Sequence, residues 1–112
     1  MNPNLVRLHV KEIPPYKQTP ADEREKENQK MRTDVLKREA RDYFRIPISR
    51  RKVRLTIEYH RGKGRSDAAN VIGGVADALN GIAYDDDNQI AEIHYRERNG
   101  NIDEYWVTVE EV

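Results

Sequence analysis

Two spacings of apolar residues divide the chain. Over residues 5–13 (LVRLHVKEI) Val6, Leu8 and Val10 share one face, and Arg7, His9 and Lys11 share the other. That period of two is the pattern of a half-buried strand. Pro14-Pro15 stops it, because neither proline can donate to a strand ladder. The same alternation, the clearest in the chain, runs over residues 51–59: Val53, Leu55, Ile57 and Tyr59 against Arg54, Thr56 and Glu58. Residues 90–96 and 104–109 alternate too. Ile93 and Tyr95 share a face of the first, and Trp106 opposes Tyr105, Val107 and Val109 in the second. Asn99-Gly100 between them is a hairpin signal.

The other spacing is helical. Thr19, then Pro20 and the acids Asp22, Glu23, Glu25 and Glu27, mark a helix start. The helix is expected to run to about Phe44, with Met31, Val35, Leu36, Ala40, Tyr43 and Phe44 as its apolar stripe. Its first half is almost wholly charged, so it projects, packs on a second subunit or is mobile. Pro47 ends it. A second helix is expected from Asp67 to Asn80, burying Ala68, Val71, Ile72, Val75, Ala76 and Leu79, with Ser66 or Asp67 as its cap. Gly73-Gly74 inside it costs about 1 kcal/mol per glycine relative to alanine. Such a pair implies that another backbone or helix comes close. Asn80-Gly81 is a C-terminal stop. The expected architecture is α+β: a single domain over residues 1–112, order β-α-β-α-β-β, a mixed sheet packed by two helices.

Composition narrows the class. The chain has 112 residues, 37% hydrophobic and 36% charged, and no cysteine. Disulfide scaffolds and thiolate zinc sites are excluded. No apolar run reaches the ~18 residues of a membrane span, and no signal-peptide core opens the chain. A soluble, cytoplasmic protein is expected. Net charge is zero, but its distribution is uneven. Arg45, Arg50, Arg51, Lys52, Arg54, Arg61, Lys63 and Arg65 face one acid, Glu58, in the middle of the chain. From Asp85 onward nine acids face Arg96 and Arg98. Cations for phosphates beside carboxylates for a metal are what a metal-dependent nuclease needs. The alternative is mutual neutralisation across a sheet surface.

The chemistry concentrates in residues 65–89, RSDAANVIGGVADALNGIAYDDDNQ. A flexible basic loop (Arg61, Lys63, Arg65) precedes Asp67 at the expected helix start. Asn70 is one turn further on the same face. Asp85, Asp86 and Asp87 follow the helix. Carboxylates distant in sequence and convergent in space hold divalent cations. Taken singly, Asp67 is more simply a helix cap, the triplet a polar turn and the loop a solvated one. His9, His60 and His94 are scattered and form no catalytic constellation.

Asp67, Asn70, Asp77-Ala78-Leu79, Asn80-Gly81, Tyr84, Asp86-Asp87 and Gln89-Ile90 together resemble the signature of RusA-type Holliday junction resolvases. Pro14-Pro15 is similar to a proline pair that family carries after its first strand. The resemblance implies a small dimeric α+β endonuclease of phage, prophage or bacterial kind, acting on nucleoid DNA. It implies binding of four-way DNA junctions, cut with magnesium, for which manganese can substitute. By the same resemblance Asp67 and Asp87 are the primary metal-binding and catalytic residues, and Asp86, the acid that precedes Asp87, is a further one. Ala69 stands in place of a second aspartate, and Gly73 in place of a functional lysine. Asp85 is the candidate for the missing oxygen, and Lys63 or Arg65 for the missing charge. Arg51, Lys52, Arg61 and Asn70 complete the expected DNA-binding set.

The expected function is thus a magnesium-dependent endonuclease for branched DNA, in recombination and repair. The rivals are a catalytically weak relative that binds branched DNA, and a non-catalytic interaction module using the charged helix.

Overall fold

The computed structural model describes residues 5–112. The elements follow the expected order: β1 (Leu5–Val10), α1 (Glu23–Arg41), β2 (Val53–Arg61), α2 (Ala68–Leu79), β3 (Ile90–Asn99) and β4 (Glu104–Glu111). A 3-10 turn, Asp87–Gln89, leads into β3. The strands form one mixed sheet in the order β1-β4-β2-β3. β4 runs antiparallel to both β1 and β2, and β2 runs parallel to β3.

The alternation assigned to each strand decides which face is covered. Leu55 and Ile57 of β2 lie beside Val109 and Val107 of β4, and Leu8 of β1 lies beside Val107 in turn. These residues are buried in one cluster with Leu36 and Ala40 of α1 and Val71, Val75 and Leu79 of α2. Both helices therefore pack on one face of the sheet. On the other face Trp106 stacks on His9, ring centroids 4.4 Å apart and planes 3° from parallel. His60 meets the same indole edge-on at 4.5 Å. Ion pairs join Arg54 to Glu92 and Glu110, and Arg96 to Glu58. Arg51 pairs with Glu111 and Arg61 with Glu97. Part of the basic middle is thus neutralised by the acidic end across the sheet.

The expected hairpin is corrected. β3 and β4 follow one another in sequence, but β2 lies between them. Gly100 donates its N–H to the Arg61 carbonyl at 2.9 Å. A Cβ on Gly100 would stand 3.2 Å from the His60 Cβ. The glycine lets the chain cross closely over the end of β2 and has no positive φ to make a tight turn. Burial explains the order. Val53, Leu55 and Ile57 of β2 are fully buried, which suits a central strand, whereas Ile93 of β3 is 46% exposed and suits an edge.

The first helix begins at Glu23 and not at Thr19, because Asp22 takes the cap. Asp22 Oδ1 accepts the Glu25 N–H at 2.8 Å, and Glu25 Oε2 accepts the Ala21 N–H at 2.9 Å. The helix stops at Arg41, and Phe44 still donates its N–H to the Ala40 carbonyl. Its charged half is tied to the loop after β1. Gln29 donates to the Gln18 carbonyl, Gln18 to the Glu25 carboxylate, and Arg32 to Glu12.

Candidate active site

The N-terminus of α2 is capped by Asp67, whose Oδ1 accepts the Asn70 N–H at 2.8 Å. Asn70 holds the loop that follows β1. Its carbonyl accepts the Lys17 N–H at 2.8 Å, and its side-chain amide donates to Gln18 Oε1 at 3.3 Å. The close approach implied by the glycine pair is this loop. A Cβ on Gly74 would stand 2.5 Å from the Tyr16 backbone. Lys17 then runs past Gly73, and its Nζ reaches Asp77 Oδ2 at 2.9 Å. Asp77 holds the Lys17 ammonium above its usual pKa, and the Asp87 charge adds to this.

The chain leaves α2 through Asn80 and turns at Gly81, whose φ of +82° is left-handed. Tyr84, fully buried, donates its hydroxyl to the Ala76 carbonyl at 2.7 Å and pins the turn beneath α2. Burial pushes its phenol well above the usual range. Asp86 then caps the 3-10 turn reciprocally. It accepts the Asn88 N–H, while Gln89 Oε1 accepts the Asp86 N–H at 3.0 Å. The buried Gln89 amide donates to the carbonyls of Ile48 and Arg51, fixing the turn to the start of β2. Asp85 is exposed and donates its N–H to the Ile48 carbonyl.

Asp87 is held above the usual carboxylate range. The hydrogen-bonded Asp86 side chain is the main cause, partial desolvation and the charges of Asp86 and Asp77 add to it, and Lys17 opposes it. The Asp86 and Asp87 side chains are thus hydrogen-bonded to each other, within electrostatic range of Asp77 and Lys17. Asp67 is carried at the other end of α2. It lies ten positions before Asp77, about 15 Å along the axis at 1.5 Å per residue. Among the described residues no three His, Cys, Asp or Glu side chains converge on one cation position.

The expected DNA-binding cations fall into two groups at the two ends of β2. Before it, Arg51 pairs with Glu111, and Lys52 Nζ donates to the Asn88 carbonyl at 3.0 Å, next to Asp87. After it, Arg61 binds Glu97 through two bonds and donates to the carbonyls of Gly64 and Ser66 at 2.7 Å. Arg61 is therefore a clamp on the basic loop. Lys63 and Arg65 have no side-chain bond among the described residues and line a cavity of about 350 Å³ with Arg32 and Ser66. That loop is shaped from below by Asp103, a residue no sequence signal marks. Its carboxylate accepts the N–H groups of Gly62, Lys63 and Gly64 and the Tyr59 hydroxyl.

A family model described as Endodeoxyribonuclease RusA matches residues 7–110. The chain belongs to the RusA endodeoxyribonuclease family. The match runs from β1 to the end of β4, so it covers both helices, the Asp86–Asp87 turn and the basic loop. No curated protein matches the chain. In this RusA-family chain sequence reasoning missed two charged groups that act on Asp87, Asp77 and Lys17. Asp77 was visible only as part of the Asp77-Ala78-Leu79 motif. Lys17 carried no signal, since its place follows from the loop lying against Gly73 and Gly74.

Proposed function

We propose that this RusA-family chain is a magnesium-dependent endonuclease that cleaves Holliday junctions or other branched DNA, in recombination and repair. The observation that carries the reading is the family match over residues 7–110. The residues at Asp87 fit a divalent cation. Asp85, Asp86 and Asp87 offer exposed carboxylate oxygens, the donors magnesium prefers. The crowding that raises the Asp87 pKa is a deficit of positive charge, which an ion would relieve. Asp87 and Asp86 would hold it, with water and phosphate oxygens completing the shell. Asp67 commits Oδ1 to the helix cap and keeps Oδ2 for a cation. Magnesium supplies polarisation of the scissile phosphate and an acidified water; manganese, with the same oxygen-ligand preference, would substitute.

The protein's own part is positioning. The Tyr84 and Gln89 bonds fix the Asp86–Asp87 turn between α2 and β2. Lys52, beside Asp87, and Lys63 and Arg65, past the other end of β2, offer charge to two stretches of DNA backbone without reading sequence. A homodimer would present two such sites to a junction that needs paired cuts.

A second reading is favoured by one observation, the absence of a three-carboxylate cluster among the described residues. Ala69 adds no oxygen. On that reading the chain binds branched DNA and cuts it weakly. A synthetic four-way junction, with magnesium and with chelator, separates the two. Wild-type cleavage that needs magnesium and disappears in Asp87→Asn supports the nuclease. Tight junction binding without cleavage by the wild type rejects it in favour of the binding protein.

A further inference from the structure

We propose that Lys17, from the loop after β1, is the cationic residue that contacts the scissile phosphodiester beside Asp87. The inference rests on the nuclease reading above and adds a residue to it. Three placements support it. The Lys17 N–H is fixed to the Asn70 carbonyl at 2.8 Å, so the residue is anchored to α2 and does not float on its loop. Its side chain runs along α2 in the gap that Gly73 leaves open; a Cβ on Gly73 would meet Lys17 Cβ at 3.4 Å and Cδ at 3.5 Å. Its ammonium ends on Asp77 at 2.9 Å, within electrostatic reach of Asp87.

Gly74 explains how the loop gets there. Only a residue without a Cβ admits the Tyr16 backbone at that distance. The adjacent glycines therefore differ: Gly74 lets the backbone in, and at Gly73 the Lys17 side chain passes at ordinary contact distance, so that a side chain at position 73 would start beside it.

The Lys17 side chain is 67% exposed, so its ammonium is free to leave Asp77 for an incoming phosphate. A lysine is a mobile point charge suited to that exchange. Lys52 also lies near Asp87, but its ammonium is bonded to the Asn88 carbonyl. Lys63 and Arg65 precede the Asp67 end of α2, whereas Lys17 ends at Asp77, towards its other end.

The test compares wild type, Lys17→Met, Lys17→Arg and the double variant Lys17→Met/Gly73→Lys on a four-way junction with magnesium. Single-turnover cleavage and the salt dependence of junction binding are both measured. Lys17→Met should cut roughly 100-fold more slowly, the scale of losing one preorganised charge contact. Its plot of log binding constant against log salt should lose about 0.9 in slope, one phosphate contact. Lys17→Arg should keep most of both. The double variant should recover cleavage, because a lysine at position 73 starts beside the path of the Lys17 side chain. Melting temperatures should change little, since exposed ion pairs contribute little stability. Unchanged cleavage and slope in Lys17→Met overturn the proposal. So does a loss that neither Arg nor the relocated lysine rescues, which marks Lys17 as a structural clamp. If the wild type binds junctions without cutting them, the nuclease reading fails, and the salt slope alone decides whether Lys17 meets phosphate.

Discussion

Gly74 lies so close beneath Tyr16 that a Cβ would stand 2.5 Å from both its backbone nitrogen and its Cα. Backbone atoms on that side cannot swing away as a long side chain would. Helix α2 therefore carries the loop that bears Lys17, through the Gly74 contact and the Asn70 hydrogen bonds.

Gly73→Ala and Gly74→Ala should have opposite effects. Both remove the helix cost of glycine, about 1 kcal/mol. At Gly73 the new methyl meets Lys17 at 3.4–3.5 Å, an ordinary contact. That variant should be stabilised by up to about 1 kcal/mol. At Gly74 overpacking against backbone should outweigh the gain and leave a net loss of about 1–3 kcal/mol. Urea midpoints measured at constant m-value decide the matter. Equal stability in the two variants would contradict this packing.

The same pair of glycines marks how far the sequence could be followed. Strand and helix periods located the four strands and both long helices, because most of them lay an apolar face on a single core. The close approach at Gly73-Gly74 was also legible, but not its partner. What crosses there depends on the path of a loop after Pro15, and no spacing rule encodes that path. The Asn99-Gly100 signal misled for a related reason. Glycine there serves approach to His60, not a tight turn, and the placement of β2 between β3 and β4 is a matter of which strand is apolar enough for the centre. The acids of the site were legible as residue types. Their grouping was not. Asp67 caps one end of α2, while the side chain hydrogen-bonded to Asp87 is that of its neighbour Asp86, a pairing that no spacing rule announces.

Asp103→Ala should loosen the basic loop and lower stability in a pH-dependent way. Partial burial pushes the Asp103 carboxyl up, but the Tyr59 hydroxyl and the three loop N–H groups outweigh it, and it sits below the usual range. A depressed carboxyl pKa stabilises the fold above the unfolded value of about 3.9. That contribution is lost as pH falls through the lower folded value. The variant should therefore cost about 1 kcal/mol or somewhat more at neutral pH, since several hydrogen bonds to one carboxylate are lost but most of the freed N–H groups reach water. The difference from wild type should shrink below about pH 4. Denaturant unfolding across pH 3–7 would show whether the two curves converge in acid or stay parallel.

Asp87→Asn should separate folding from metal response. In metal-free buffer the folded state disfavours the Asp87 charge, because Asp86 and Asp77 stand beside it. A raised carboxyl pKa penalises the fold above that pKa, and the penalty is relieved as pH falls through it. Removing the charge should therefore leave the melting temperature unchanged or higher. Magnesium should raise the wild-type melting temperature as its concentration passes the dissociation constant, and this rise should vanish in the variant. Thermal melts with chelator and with graded magnesium test both halves. A magnesium-dependent rise of equal size in Asp87→Asn would remove Asp87 from the ion site.

The basic loop should split into one structural and two DNA-facing cations. Arg61 is mostly buried, bonds two loop carbonyls and pairs with Glu97, which holds its guanidinium above its usual pKa. Arg61→Met leaves those partners without a donor and should cost about 2 kcal/mol, the scale of a hydrogen bond to a charged group. Lys63→Met and Arg65→Met remove no bond seen among the described residues, so each should stay within about 0.5 kcal/mol of wild type. Each should instead reduce the salt slope of junction binding by about 0.9. Stability and binding measured on the same three variants give a crossed pattern if this division holds. A loss of stability in Lys63→Met or Arg65→Met, with the salt slope intact, would assign the whole loop to the fold and none of it to DNA.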